Sequence, residues 1–260
     1  MGEQQKILLG QALTIIGVLA GWELASGRWI DPFFVSKPTL IAVMLWQELF
    51  EASFWVDLWV TSLEMGGGYA IGGFGGVLLG VLLARWPVAA QVLDPMFVAL
   101  NSIPRIALAP LLIIWFGIDM ASKIVLAATL VFFLTFFNTL AGILNVDSGL
   151  INVARVQGAT QWQIFAKVML PGATSWIMTG LRTALPFALI GVIVGEFLAA
   201  SVGLGYRLNQ YSTTYNTTGT MAMLFVMMAM MMFLNGVMIR IERVLLRWKP
   251  KSAYQTGTTF

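Results

Sequence analysis

The sequence predicts an all-α polytopic membrane protein with about six transmembrane helices, and three observations support this fold class. Hydrophobic residues make up 58% of the 260 residues and charged residues only 10%, which is far from the composition of a soluble domain. The apolar residues form runs of about 20, the length that a helix needs to cross the hydrocarbon core. Most charged residues lie between these runs. We therefore expect one transmembrane domain that covers residues 1–260.

The chain contains no cysteine and no histidine. Disulfides, zinc sites with their usual ligands, thiol nucleophiles and Ser-His-Asp triads are therefore excluded. We expect no catalytic residues, no metal site and no cofactor on this chain. The net charge of +3 comes from basic residues at the ends of apolar segments, a placement that favours membrane topology over nucleic-acid binding.

The predicted spans follow one another along the chain. The first covers residues 8–25, and we interpret it as an uncleaved helix because no small-x-small cleavage site follows it. Residues 27–58 mix charges with tryptophans and predict a periplasmic or interfacial segment, with an amphipathic helix near residues 39–50. The other spans are expected at residues 65–84, after Asp94 with breaks at Pro104 and Pro110, and at residues 124–145, 173–199 and 220–239. The last span is rich in methionine, which favours adaptable packing over a metal pathway.

Glycines recur at every fourth position of the second span, at Gly68, Gly72, Gly76 and Gly80. Small residues at this spacing share one helix face and allow another backbone to approach closely. Tight packing within the subunit is the favoured interpretation, and the lining of a moving gate is the alternative.

The positive-inside rule sets the orientation, because Lys and Arg in short loops concentrate on the cytoplasmic side. Six spans place both termini on one side, which also receives Lys6, Arg85, Arg155, Lys167 and the basic C-terminal residues. The other side receives Arg28, Lys37, Lys123 and Arg207. We therefore expect cytoplasmic termini, a cytoplasmic loop at residues 146–171 and a flexible cytoplasmic tail at residues 249–260.

The loop at residues 146–171 is polar and amphipathic, in contrast to the runs on either side. Thr160 and Gln163 have the spacing of a capping box, and Gly158 supplies a turn just before them. An apolar stripe follows at three- and four-residue steps, formed by Trp162, Phe165 and Met169. Pro171 is expected to end this helix. Packing of the stripe against its own bundle and insertion into a groove of a partner protein both remain open.

The loop resembles the cytoplasmic signature of bacterial ABC importer permeases: E-A-A, three residues, G, nine residues, then I-x-L-P. The matching positions, with both spacings kept, are Asn152, Val153 and Ala154, then Gly158, then Val168, Leu170 and Pro171. The first block has Asn152 and Val153 in place of glutamate and alanine, and Val168 replaces the isoleucine. These departures weaken the charge of the signature and keep its geometry.

Two further stretches are similar to permeases of the nitrate, sulfonate and taurine group, which also includes transporters of pyrimidine precursors. They are SIPRIALAPLLIIWFG at residues 102–117 and GEFLAASVGLGY at residues 195–206. The resemblance implies a type I ABC importer permease in the bacterial inner membrane. It also implies a second copy of the chain, two ABC ATPase subunits that hold ATP and Mg²⁺, a periplasmic or lipid-anchored solute-binding protein, and contact with membrane lipid but not with nucleic acid.

The resemblance further implies that the loop couples the spans to the ATPases. This role falls on Asn152, Ala154, Gly158, Ala159, Trp162, Phe165, Leu170 and Pro171. The chain has no G-x-x-x-x-G-K-[ST] phosphate loop, so its energy has to come from the separate ATPase subunits. The expected solute is a small anion of the nitrate, sulfonate or taurine type. A neutral pyrimidine precursor is the alternative, and an ion-coupled secondary transporter is a more distant one.

Three ionisable residues lie within predicted spans, where charge is costly and usually faces a cavity or a partner. Arg105 lies between two prolines and is a candidate for the translocation pathway. The alternative is that it pairs with a carboxylate or reaches the membrane interface. Glu196 is the second candidate, although a structural role is favoured for both Glu196 and Arg182.

Overall fold

The computed structural model describes residues 3–246, and these residues form α-helices with no β-strand among them. The prediction of an all-α protein is confirmed. The predicted tail at residues 249–260 lies outside the described residues. The helices are α1 (Glu3–Ala25), α2 (Pro32–Val35), α3 (Pro38–Glu48), α4 (Ala52–Arg85), α5 (Pro87–Asn101), α6 (Ala109–Phe116), α7 (Met120–Leu144), α8 (Ser148–Val156), α9 (Gln161–Ile164), α10 (Leu170–Ala199), α11 (Leu204–Thr213) and α12 (Thr217–Leu245).

Five helical stretches are long and apolar enough to cross a membrane: α1, α4, α7, the stretch that ends in α10, and α12. α5 and α6 are separated by a 71° bend, and they give a sixth span if the bent pair is counted as one. The bend includes Pro104 and a 3₁₀ turn at Arg105–Leu108. The predicted break at Pro104 is present, whereas Pro110 lies in the first turn of α6 and does not interrupt that helix.

The segment predicted at residues 27–58 is shorter than expected, because α4 begins at Ala52 and not near residue 65. With 34 residues and a rise of 1.5 Å per residue, α4 is about 50 Å long and extends beyond a hydrocarbon core of about 30 Å. Its first turns carry Ser53 and Asp57, which both bond to Arg207. These bonds explain why polar residues begin the helix.

Pro171 does not end a helix, contrary to the prediction. A continuous helical stretch runs from Gln161 to Ala199, with a π-helical turn at Phe165–Met169. In this turn the Leu170 N–H donates to the carbonyl of Phe165, five residues earlier. Pro171 then occupies the first turn of α10, a position where proline is tolerated because its missing donor is not needed.

α7 lies in the centre of the bundle, between α4 and α10, and glycines allow the close approach. Added Cβ atoms at the four α4 glycines would collide with α7: at Gly68 with Ala127, at Gly72 with the Ala128 carbonyl, at Gly76 with Thr135, and at Gly80 with Thr139. On α10, an added Cβ at Gly191 would lie 2.7 Å from Ala127 Cα. The glycine face predicted from the sequence therefore lies in a helix–helix interface.

The two ends of the bundle hold different short helices. At one end, the side chains of Ser36 and Thr218 bond at 2.8 Å, which joins the α2–α3 region to the start of α12. At the other end, the Arg85 guanidinium lies 5.7 Å from the ring centre of Trp162 on α9. Arg85 and the loop at residues 146–171 therefore lie at the same end.

Candidate functional site

The loop at residues 146–171 consists of α8, a turn and α9. Asp147 caps α8 by accepting a hydrogen bond from the Gly149 N–H at 2.8 Å. The predicted capping box is confirmed: Gln163 N–H donates to Thr160 Oγ1 at 3.3 Å, and Thr160 N–H donates to Gln163 Oε1 at 2.8 Å. Each of the two short helices of the loop thus begins at a local side-chain cap.

Gly158 forms the turn between α8 and α9, with φ of +82°. This left-handed conformation favours glycine and is also accessible to Asn and Asp. A Cβ added at Gly158 would have no atom of this chain within 4 Å. The turn is therefore at the tip of the loop and faces away from the bundle.

The predicted stripe, which begins on α9 and continues into the π-helical turn, is divided between the bundle and the surface. Phe165 is buried and packs in a cluster with residues of α4, α7 and α10: Leu83, Ala84, Phe136, Leu140, Ile143 and Ala173. Trp162 is 62% exposed and stacks on Phe165, with ring centres 6.1 Å apart. Phe165 therefore anchors the loop and is not part of an exposed docking surface, because the bundle already surrounds its ring.

α8 exposes apolar side chains at the same end of the bundle and has no buried residue. Val153 is 57% exposed and Val156 is 89% exposed. We call Val153, Val156, Gly158 and Trp162 the loop surface. Of the other predicted coupling residues, Asn152 and Pro171 are exposed, and Ala154, Ala159 and Leu170 are half-buried.

Arg105 lies at the bend between α5 and α6, half-buried against α7. It donates to the Asn101 carbonyl at 3.0 Å and to the Asn101 side chain, and its guanidinium lies 4.2 Å from the ring centre of Phe133. Within residues 3–246 it makes no ion pair, and its buried Nε has no hydrogen-bond partner. The bonds and the aromatic contact fix Arg105 to its own span and to α7.

Glu196 is 1% exposed and joins three elements at the end of α10. Its carboxylate accepts from the Thr61 hydroxyl at 2.6 Å and from the Gly205 N–H at 2.6 Å. A second buried carboxylate, Glu64, lies 3.5 Å from Lys123 Nζ. Glu196 therefore caps the start of α11 from a buried position.

The structure contains a buried ion cluster around Arg207 that the sequence does not reveal. Arg207 bonds to Asp57 at 2.7 Å, to Glu48 at 2.5 Å and, at its edge, to Glu51 at 3.2 Å. Burial alone would lower the pKa of Arg207, but the hydrogen bond with Asp57 and the charges of Glu48 and Asp57 raise it above its usual value. The excess of acidic residues in residues 48–57 was the available signal.

Tyr211 completes this cluster by donating a hydrogen bond to Glu48. Burial, followed by this hydrogen bond and the charge of Glu48, raises the pKa of Tyr211 to about 12. The cluster joins α3, α4 and α11 at the end of the bundle opposite the loop surface. Its burial and pairing indicate a structural role there.

An open cavity of about 590 Å³, lined mostly by exposed side chains, lies between α10 and α12, in the half of the bundle nearer the loop surface. Its polar lining includes Arg182, Asn235 and Glu242, and methionines of α12 line its apolar side. Arg182 Nε donates to Asn235 Oδ1 at 3.0 Å, and its Nη1 lies 3.7 Å from Glu242 Oε2. The sequence predicted a structural Arg182 and gave no reason to pair it with Asn235, which is 53 residues away.

A bundle of this kind, with an exposed apolar loop at one end, is typical of a membrane subunit that works with a soluble partner. Residues 76–249 match the family described as binding-protein-dependent transport system inner membrane component. The chain belongs to this family. The predicted resemblance to ABC importer permeases is confirmed, and the chain is a multi-pass permease subunit of an ABC importer.

Individual relatives cover nearly the whole chain. The aliphatic sulfonates transport permease protein SsuC of Escherichia coli (strain K12) is 34% identical over 90% of both chains. The formylaminopyrimidine transport permease protein ThiX of Halalkalibacterium halodurans is 30% identical over 94% of this chain and 97% of its own. The riboflavin transport system permease protein RibX of Chloroflexus aurantiacus is 32% identical over 93% of this chain and 90% of its own.

Among solved structures, the chain is similar to the inward-facing MetNI methionine ABC transporter. The match covers 80% of this chain and 96% of that chain, with a TM-score of 0.58 and 24% identity. This similarity shows the fold. It confirms the predicted type I permease architecture.

Proposed function

We propose that this permease imports a small organic anion of the sulfonate type, and that the loop surface couples it to the ATPase subunits. The assembly contains two copies of this chain, two ATPases and an external solute-binding protein in a bacterial inner membrane. The sulfonate permease that is 34% identical over 90% of the chain supports an anion. The formylaminopyrimidine relative supports the alternative, a neutral or weakly charged heterocycle.

The observation that carries the coupling role is the exposure of apolar side chains on the loop surface. Val156 and Trp162 are 89% and 62% exposed at the end that holds Arg85 and Arg155, which the positive-inside rule assigns to the cytoplasm. Burial of apolar surface contributes roughly 25 cal/mol per Å², so a partner that covers these side chains gains binding energy. A groove on an ATPase subunit fits this short, convex surface.

The buried anchor below the loop surface supplies a route for movement. Phe165 packs against residues of α4, α7 and α10, and Trp162 stacks on Phe165. Because protein interiors are close-packed, a displaced Phe165 ring has to move its neighbours. ATP binding and hydrolysis would then shift the bundle between inward and outward openings through this contact.

The test compares Gly158→Asp with Gly158→Asn in proteoliposomes that hold the permease and its ATPase. Asp and Asn have similar shapes and both tolerate positive φ, and the space around Gly158 is open within this chain. The two variants therefore fold alike and differ by one charge at the tip of the loop. We expect weaker ATPase association or uncoupled hydrolysis in Gly158→Asp, with a smaller effect in Gly158→Asn.

Three results bear on the proposal. ATP-dependent transport that falls in Gly158→Asp more than in Gly158→Asn supports coupling through the loop surface. Native transport in both variants refutes it. Solute uptake that needs no ATPase would instead favour the alternative function, an ion-coupled secondary transporter.

A further inference from the structure

The cavity lies between α10 and α12, which both belong to helical stretches long and apolar enough to cross a membrane. Arg182 precedes Glu196 by fourteen positions, which is about 21 Å along a helix, and Glu196 marks the outer end of α10. Glu242 lies near the inner end of α12, which ends at Leu245. Arg182 and Asn235 are therefore in the inner half of the bundle, where ionisable residues are rare and usually face a cavity or a partner.

Arg182 has donors to spare. A guanidinium has five N–H donors. Within the described residues, Asn235 accepts one of them, and Glu242 is 3.7 Å away, beyond hydrogen-bond distance. The side chain is 44% exposed and borders the cavity. Arg182 thus borders the cavity with one donor bonded to Asn235 and with Glu242 as its ion-pair partner.

The backbone next to Arg182 is also less satisfied than in a regular helix. Pro186 lies inside α10 and borders the same cavity. It has no N–H to donate to the carbonyl four residues earlier, which is that of Arg182. Pro186 therefore interrupts the regular backbone hydrogen bonding of α10 within about one turn of Arg182.

The α12 wall of the cavity is polar at Asn235 and Glu242 and apolar toward the start of the helix. Met228, Met231 and Met232 of α12 line it, and their flexible thioether side chains can adapt to alkyl groups of different shape. A volume of about 590 Å³ lies within the usual range of about 300–1,000 Å³ for small-molecule sites. The Arg182 guanidinium, the Asn235 amide and the methionine side chains together fit an organic anion that has an acidic group at one end and an alkyl chain at the other.

We propose that this cavity is a solute-binding site in the inner half of the pathway, where Arg182 and Asn235 hold the acidic group and the α12 methionines hold the apolar part. It deepens the proposed function and rests on it, because it requires an anionic solute. Glu242 pairs with Arg182 when the site is empty and competes with the solute, which favours release toward the cytoplasm. Arg105 is the less suitable arginine, since its Nε is buried and its guanidinium lies against Phe133.

The test uses the absence of cysteine in the chain. In the complete permease–ATPase complex, Thr183→Cys places one thiol on the exposed lining of the cavity. Alkylation of this thiol by N-ethylmaleimide is followed with and without 1-butanesulfonate. The neutral control ligand is butane-1-sulfonamide, which has nearly the same shape and lacks the charge.

We expect butanesulfonate, and not the sulfonamide, to slow alkylation. Arg182→Gln should raise the half-protecting concentration roughly tenfold to a hundredfold, the effect of losing charged hydrogen bonds. Arg182→Lys should retain part of the protection, and gel filtration confirms that each variant is assembled. Arg105→Gln is the matched control and should leave protection unchanged.

Three outcomes overturn the proposed site. Protection survives in Arg182→Gln, it is lost only in Arg105→Gln, or the sulfonamide protects as well as the sulfonate. A parallel uptake assay of the native assembly separates this failure from failure of the proposed function. ATP-dependent butanesulfonate uptake without a role for Arg182 refutes the site alone. ATP-dependent uptake of a neutral pyrimidine with no uptake of sulfonate refutes the anionic solute and the site together.

Discussion

Replacement of Gly76 by alanine tests how closely α4 and α7 approach each other. A Cβ at this position would collide with the Thr135 hydroxyl and would lie 2.5 Å from the Phe132 carbonyl oxygen and 2.9 Å from the Phe136 nitrogen. Two of these three atoms belong to the backbone of α7. A side-chain rotation therefore cannot relieve the collision, and the helices have to separate.

The size of the effect follows from these distances. Non-bonded carbon contacts are optimal at about 3.5–4.0 Å, so α4 and α7 must move apart by about 1 Å around Gly76. Overpacking of this kind costs about 1–3 kcal/mol. Alanine recovers up to about 1 kcal/mol through its higher helix propensity. We expect the free energy of unfolding of Gly76→Ala to fall by roughly 1–2 kcal/mol.

The matched control is Gly66→Ala on the same helix. Gly66 is exposed, and a Cβ there would have no atom within 4 Å beyond its own helix. Its free energy of unfolding should stay unchanged or rise by up to about 1 kcal/mol. Both variants are measured by SDS titration in mixed micelles, with tryptophan fluorescence and circular dichroism as probes.

Equal stability of Gly76→Ala and Gly66→Ala would refute the close contact between α4 and α7. Unchanged stability with lost transport would instead favour the second interpretation of the glycine face, the lining of a moving gate. Lower stability with proportionate loss of transport supports packing as the role of this face.

Three further predictions concern the two ends of the bundle. In inverted and right-side-out vesicles, a membrane-impermeant maleimide should label Val156→Cys from the cytoplasmic side alone and Tyr215→Cys from the outside alone; the reverse pattern would invert the topology. Arg207→Met leaves buried carboxylates unpaired and should lower the free energy of unfolding by about 3–5 kcal/mol. The control is Glu51→Gln, because the Glu51 side chain lies at the edge of the cluster and is 57% exposed. This variant should change the free energy of unfolding by less than about 1 kcal/mol. Because the pKa of Tyr211 is raised to about 12, its neutral form contributes stability below pH about 10, and this stability is lost as the pH rises toward 12. The tyrosinate absorbance of the native protein minus that of Tyr211→Phe should rise with a midpoint near pH 12. A midpoint near pH 10 would contradict the burial of this hydroxyl.

Features set by neighbouring residues could be predicted from the sequence. The apolar runs indicate the spans, the glycine spacing indicates one close-packed face, and Thr160 with Gln163 indicates the start of α9. Each depends on residues within a few turns of one another. The boundary of α4 was misplaced because its first turns are stabilised by Arg207, which is 150 residues from Asp57.

The helix break expected at Pro171 shows a different limit. Proline removes one donor in any context, but a π-helical turn places Pro171 where no donor is needed. The burial of Phe165 has a similar origin. Its spacing assigns it to the same stripe as Trp162, yet the bundle covers one ring and leaves the other exposed. Only the packing of α4, α7 and α10 around the loop distinguishes the buried Phe165 from the exposed Trp162.

The intramembrane charges show why residue type alone does not identify a pathway. Ionisable residues such as Glu196 are rare within membrane spans and often take part in transport. The Glu196 carboxylate, however, already accepts hydrogen bonds from the Thr61 hydroxyl and from the Gly205 N–H. Arg182, for which a structural role was favoured, keeps most of its donors free at the edge of a cavity. A buried charge whose bonds the fold has filled stabilises one conformation, whereas an exposed charge that borders a cavity is accessible to a solute. The partners of each charge, which are distant in sequence, therefore decide between the two roles.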